Sequence, residues 1–421
     1  RPLGSIKWVA MPENTLLDPP NRPAAIDLVA GLSVVLVLIP QSMAYAELAG
    51  LPSHLGLFAS ALPLIAASIF ASSPYLQTGP VAMTCLLTFG ALSGLATPGS
   101  AEYIRLATLL ALVVGVTRLA LGVLKLGRVT YLMTDQVVTG FTSGATILII
   151  SSQLPKVFAA IPPAGGVLRQ AGWSLTHPDQ WEWEAVTIAA VTVVLILGGR
   201  RLHRLFPGAL IAVMGGVLWS QIFGYSGPVV GDIVTGWPPL TLDLPWSETG
   251  AVLVGGVVIA LVGFAEAASI SRVFAAADNQ RWSADREFVS QGLANIVAAL
   301  CSAFPVGGSF SRSALSRLTG AQTRWSGLVT GLAVLAFLPF AQILETLPRA
   351  TLGGVVFAAV VGLIQPRKLW ALVRSSSRNG LVAGGTFVAT LVLAPRVERA
   401  VMVGVALSLA TKAWERFSPR N

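Results

Sequence analysis

Charge is what this sequence has least of. Only 11% of its 421 residues are Asp, Glu, Lys or Arg, against about 25% in a soluble domain. A globular surface of that size needs more polar side chains, so an ordinary soluble enzyme and a disordered chain are both excluded. Cysteine is nearly absent: Cys85 and Cys301 both sit inside apolar runs, which leaves no disulfide framework. His54, His177 and His203 are scattered and show no metal-ligand spacing. There is no P-loop, no metal motif and no Ser/His/Asp order in a polar region. The sequence therefore gives no sign of an enzyme, a cofactor or a bound metal. Any transport would draw on gradients.

Apolar residues are abundant: 54% of the chain, with a mean hydropathy of +0.73. A bilayer core takes about 20 apolar residues per helix. Fourteen candidate spans can be read, at 24–46, 55–71, 79–95, 102–122, 132–152, 184–199, 207–222, 249–271, 286–302, 308–320, 325–342, 350–364, 379–394 and 397–414. The expected fold is an all-α integral membrane protein. The net charge of +9 and pI of 10.1 do not point to nucleic acid. With the N-terminus inside, most of the Lys and Arg fall on the inner side, including the Arg200-Arg201-His203-Arg204 cluster. Both termini are then cytoplasmic in an inner or plasma membrane. The chain divides into a lead at 1–23, a first seven-span repeat at 24–222, an external connection at 223–248, a second repeat at 249–414 and a tail at 415–421. Trp173, Trp181, Trp183, Trp237 and Trp246 fall at the outer membrane boundary, as interfacial anchors do.

Spans three and ten are short, and each follows an extended Gly/Pro-bearing approach: Pro74 to Pro80 in one case, Phe304 to Gly308 in the other. Each is third in a run of seven. Seven is odd, so the two halves enter the membrane with opposite sense, as inverted repeats do. Two half-helix N-termini then meet at the midplane. Each has unpaired N–H groups and roughly +0.5 of an elementary charge, a combination that attracts anions. The alternative is a pair of kinked spans whose ends are capped by neighbours. Thr78, Thr84, Ser309, Ser311 and Ser313 suit either reading.

The stretch from Ile39 to Pro52 (Ile-Pro-Gln-Ser-Met-Ala-Tyr-Ala-Glu-Leu-Ala-Gly-Leu-Pro) resembles the signature of the sulfate permease (SulP) anion transporters, the family that includes the motor protein prestin. Gln77 to Ala82, Gly263 to Glu266 and Phe304 to Ser313 support the match at family-like intervals. The resemblance implies a 7+7 inverted-repeat fold. A core would come from spans one to four and eight to eleven, and a gate from spans five to seven and twelve to fourteen, with elevator-like movement between them. It also implies a homodimer. Family members usually continue into a cytoplasmic STAS domain, whereas this chain stops at Asn421, after the last span.

The expected substrate site is built on the two half-helix starts, Val81 and Ala82 in one and Ser309, Phe310, Ser311 and Arg312 in the other. A central Arg costs about 2.5–3.5 kcal/mol on insertion scales, and a helix N-terminus disfavours a cation. Arg312 therefore needs an anion, supplied by a protein carboxylate or by the substrate. The resemblance places Arg312 at the border of the anion pocket, with Gln41 and Tyr45 beside it. Those two lie one turn apart on one face; interhelical hydrogen bonds are the other use for them. Glu266 is the only acid in the run 249–271. It either pairs with Arg312 or relays the coupling ion. In sodium-coupled relatives a hydroxyl residue follows one turn later. Here that position is Ile270, between Ser269 and Ser271, which favours protons over sodium. Glu47, at the outer end of span one, is expected to be solvated. Asp27 and Asp135 are expected to start helices, and Arg317 to anchor a span end.

These readings converge on a membrane-embedded, proton-coupled symporter of a small oxyanion or dicarboxylate, of the sulfate, bicarbonate or fumarate class. The rivals are a nucleobase permease, which would want carboxylates and no arginine at span ten, and an uncoupled anion channel or voltage-responsive motor.

Overall fold

A computed structural model describes residues 18, 22–127, 129, 134–241, 243–364, 366–375 and 377–417. Most of the lead expected over 1–23, and the end of the tail expected over 415–421, lie outside these residues. In chain order the first half comprises α1 (Ala25–Leu48), α2 (His54–Ser60), α3 (Leu62–Phe70), β1 (Gln77–Gly79), α4 (Ala82–Leu92), α5 (Ala101–Val123), α6 (Asp135–Phe158), α7 (Val167–Thr176), α8 (Trp183–Leu202) and α9 (Gly208–Phe223). The second half comprises α10 (Thr249–Ala277), α11 (Ala284–Leu300), β2 (Gly307–Ser309), α12 (Phe310–Leu318), α13 (Trp325–Phe337), α14 (Arg349–Val360), α15 (Pro366–Ser375), α16 (Ser377–Val392) and α17 (Val397–Phe417). The fourteen spans read from the sequence are all present as helices or broken helices, in a 7+7 inverted repeat.

The breaks have local causes. Span two is split at Ala61, which takes a non-helical conformation just before Pro63, a residue with no N–H to give to a preceding turn. Pro40 lies inside α1, where the Ser42 hydroxyl donates to the Ile39 carbonyl. The start of α1 is fixed by Asp27. Its carboxylate accepts from the Ala24 N–H in a capping arrangement and from the Gln322 N–H, the Thr323 N–H and the Thr323 hydroxyl. One buried acid thus both starts a helix and ties it to the turn before α13.

Two helical bodies result. α1 to α5 pack with α10 to α13 as the core; α6, α8 and α9 pack with α14, α16 and α17 as the gate. α1 touches α9 and α14 across the divide. Two helices arise where the sequence suggested only connections. α7 folds within 156–182 and buries Ala171 and Ser174, and Trp181 stacks on Phe158 at 4.2 Å. α15 precedes α16, with the Arg374 guanidinium over the Trp370 ring.

Candidate anion site

The two extended approaches pair with each other. β1 and β2 form an antiparallel ladder with Gln77 opposite Ser309, Thr78 opposite Gly308 and Gly79 opposite Gly307. Such backbone is tolerated inside a membrane protein only when it is buried by protein or lines a cavity. Here every ladder residue is buried. Side chains from neighbouring elements complete its hydrogen bonding. Ser313 accepts from the Gln77 N–H at 2.9 Å, and the Gln291 amide donates to the Thr78 hydroxyl at 2.7 Å. Asn295 accepts from the Val306 N–H and donates to the Val306 carbonyl. α4 and α12 begin directly past the ladder, so their free first-turn N–H groups emerge beside it. In α12, Ser309 is the N-cap, and its hydroxyl accepts from the Arg312 N–H.

A cavity of about 580 Å³ opens at these helix starts. Gln41, Tyr45, Val81, Ala82, Glu266, Ser309, Phe310 and Ser311 all line it, and the gate closes its other wall with Ile196, Val355 and Ala359. Arg312 does not line it. The side chain is fully buried behind the wall, where it donates to the Pro80 carbonyl at 2.9 Å and to Gln41 Oε1 at 3.4 Å. No carboxylate lies within 4 Å of Arg312 among the described residues, so neither Glu266 nor any other acid there forms an ion pair with it. Gln41 faces the cavity and also accepts a hydrogen bond across helices from Arg312. Ile270 and Ser271, one turn beyond Glu266, are buried.

Residues 25–386 match the sequence profile of the Sulfate permease family. The chain belongs to that family. It is 32% identical over 405 residues to Sulfate transporter 4.1, chloroplastic, of Arabidopsis thaliana, covering 94% of this chain and 59% of that protein. It is 31% identical over 388 residues to a Probable sulfate transporter of Mycobacterium tuberculosis, covering 91% of this chain and 69% of the relative. The chain thus spans about three-fifths of the plant relative's length. Among solved structures, the murine Solute Carrier 26 family member A9 anion transporter in the inward-facing state superposes with a TM-score of 0.85 at 21% identity, over 99% of this chain and 73% of that one. The transmembrane domain of the cyanobacterial bicarbonate transporter BicA gives 0.77 at 22%, over 91% and 96%. These two likenesses show the fold.

In this sulfate permease family member Arg200, Arg204 and Thr319 also line the cavity, and Arg200, Arg201, His203 and Arg204 line a second hollow that shares the two arginines. At the far end of α1 the expectation of a solvated Glu47 is corrected. Its side chain is only 10% exposed and takes Lys156 Nζ at 2.7 Å, with Arg349 Nε at 3.9 Å and the Ser53 hydroxyl at 2.8 Å. Lys156 ends α6 and Arg349 starts α14, so a core acid holds two gate cations. Arg317 sits in the last turn of α12, where its Nε donates to Asp278 at 2.9 Å.

Sequence reasoning gave no role to the α11 residues that brace the site. Glu287, Gln291 and Asn295 are all fully buried, and Glu287 accepts from the Ser72 and Ser73 N–H groups ahead of β1. Their spacing of four was the available signal: three polar residues on one face of an apolar helix.

Proposed function

We propose that the protein moves a small anion across the membrane as a secondary-active, proton-coupled symporter, with an oxyanion or dicarboxylate of the sulfate, bicarbonate or fumarate class as substrate. The observation that carries this reading is the cavity wall: two opposed half-helix starts with a guanidinium behind them and, among the described residues, no acid within ion-pair distance of it. An anion there accepts from the free N–H groups of both first turns. Arg312 acts through Gln41. The amide oxygen accepts from the guanidinium, which leaves the amide NH2 to donate to the substrate. The low-dielectric surroundings make each of these interactions stronger than it would be in water.

Glu266 is the proposed proton carrier. It shares the cavity with the anion, and among the described residues lining the cavity it is the one acid. Bound anion places a second negative charge near it and favours its protonated form. Ile270 offers no hydroxyl to a sodium ion. The cavity lies between core and gate, so sliding one body on the other would expose it to alternate sides. The arginines that line the cavity, Arg200 and Arg204, support a cytoplasmic opening, with both termini on that side. A homodimer is the assembly that family membership suggests.

Uptake of labelled sulfate, bicarbonate, fumarate and a nucleobase into proteoliposomes tests the reading. Saturable uptake of at least one anion, raised by an inward proton gradient, is expected. Uptake of the nucleobase alone, or anion current indifferent to pH, refutes it.

A further inference from the structure

Among the described residues, Arg118 and Arg312 are the largest fully buried side chains. Arg118 lies in α5, outside the cavity wall, and no carboxylate lies within 4 Å of it among the described residues. Its guanidinium donates only to main-chain carbonyls: Nη1 to Val306 at 2.8 Å, Nε to Ala260 at 3.1 Å and Nη2 to Ile259 at 3.2 Å.

The position of Val306 gives these bonds meaning. The ladder runs from Gln77–Ser309 to Gly79–Gly307, so the next register position sets Pro80 opposite Val306. The Pro80 carbonyl takes Arg312 at 2.9 Å, and the Val306 carbonyl takes Arg118. An arginine from the second repeat holds the strand of the first, and an arginine from the first repeat holds the strand of the second. Gly263 makes the room: a Cβ there would lie 2.5 Å from Arg118 Nη2 and 3.2 Å from the Thr84 hydroxyl in the first turn of α4. The guanidinium therefore sits against the start of one half-helix and on the approach to the other. Three carbonyl dipoles satisfy its hydrogen bonds but do not cancel its unit charge.

We propose that Arg118 is a positioning residue for both half-helices and the second fixed positive charge of the anion site, setting a preference for divalent over monovalent anions. This rests on the anion-transport reading above. A fixed charge acts on a ligand in proportion to the ligand's own charge. A clamp that merely shaped the site would weaken all anions by a similar factor.

The test measures equilibrium binding of sulfate and nitrate to the purified parent, Arg118→Gln and Arg118→Lys. Arg118→Gln should lose about tenfold for nitrate and about a hundredfold for sulfate, so that the sulfate-to-nitrate ratio falls about tenfold. Arg118→Lys keeps the charge and should keep the ratio within about twofold. If Arg118→Gln fails to fold, Arg118→Met removes the same charge and is read in its place, and a folded Lys variant with a collapsed ratio overturns the proposal. An unchanged ratio in folded Arg118→Gln also overturns it. A parent that binds neither anion removes the anion-site reading itself, whereas a parent that binds both while the charge-removing variant leaves the ratio unchanged removes only the role of Arg118.

Discussion

Glu266 meets the cavity from the core side with no cation in ion-pair distance among the described residues. In the proposed cycle, anion binding draws in a proton, and by reciprocity a lower pH tightens anion binding. The sign is fixed: affinity should rise as pH falls through the range where Glu266 protonates and level off below it. Glu266→Gln mimics the protonated carboxyl. It should bind anion in a nearly pH-independent way, and its uptake should no longer respond to an inward proton gradient. A Gln variant with the full proton-driven uptake of the parent would return Glu266 to a structural role. Arg312 and Glu266 were legible in the sequence because each is a lone charge in or beside an apolar run. Arg118 was equally visible as a charge, but its partners, Ala260 and Val306, are far along the chain and are backbone groups, so no residue pattern names them. Glu47 was misread for the same reason. Its position at a span end looked wet, and its two cations come from distant helices.

The ladder and the close approach of α2 to α1 keep the half-helix starts in place. Gly56 lies against the turn of α1 that follows Pro40. A Cβ at Gly56 would sit 2.0 Å from the Ser42 carbonyl oxygen and 2.4 Å from its carbon. Both are backbone atoms, so relief requires a helix to move. Gly56→Ala should cost about 1–3 kcal/mol or more and displace the segment that carries Gln41 and Tyr45. A melting curve in detergent should show the loss, and anion affinity should fall with it; a variant as stable and as tight-binding as the parent would show that α1 tolerates the shift. The long spans were readable from hydropathy, and the two short ones from their Gly/Pro approaches. The pairing of residues 77–79 with 307–309 was not, because a three-residue strand has too little pattern to declare a partner more than two hundred residues away. α7 and α15 escaped notice because both are short helices in segments read as connections.

Across the whole molecule, Arg200 and Arg204 line the cavity, and beyond the cavity-lining residues of α1, toward its C-terminal end, Glu47 pairs with the gate cations Lys156 and Arg349. Breaking a largely buried pair leaves a charge without its partner. Glu47→Lys should therefore bias the equilibrium toward opening at the Glu47 end by about tenfold or more. Labelling of a cysteine placed at Ala359, in the gate wall, by an impermeant thiol reagent applied from that end should rise accordingly. Adding Lys156→Glu should bring labelling back toward the parent level; no difference among the three proteins would mean the cluster does not hold the gate. The central claim, that an anion is carried at two half-helix starts charged from behind by Arg312, is tested most directly by sulfate uptake into liposomes. Parent and Arg312→Ala are compared at equal protein density under an inward proton gradient, with folding checked by gel filtration. The account predicts saturable uptake by the parent and a loss of about tenfold or more in the folded variant. Parent-level uptake by folded Arg312→Ala would contradict it.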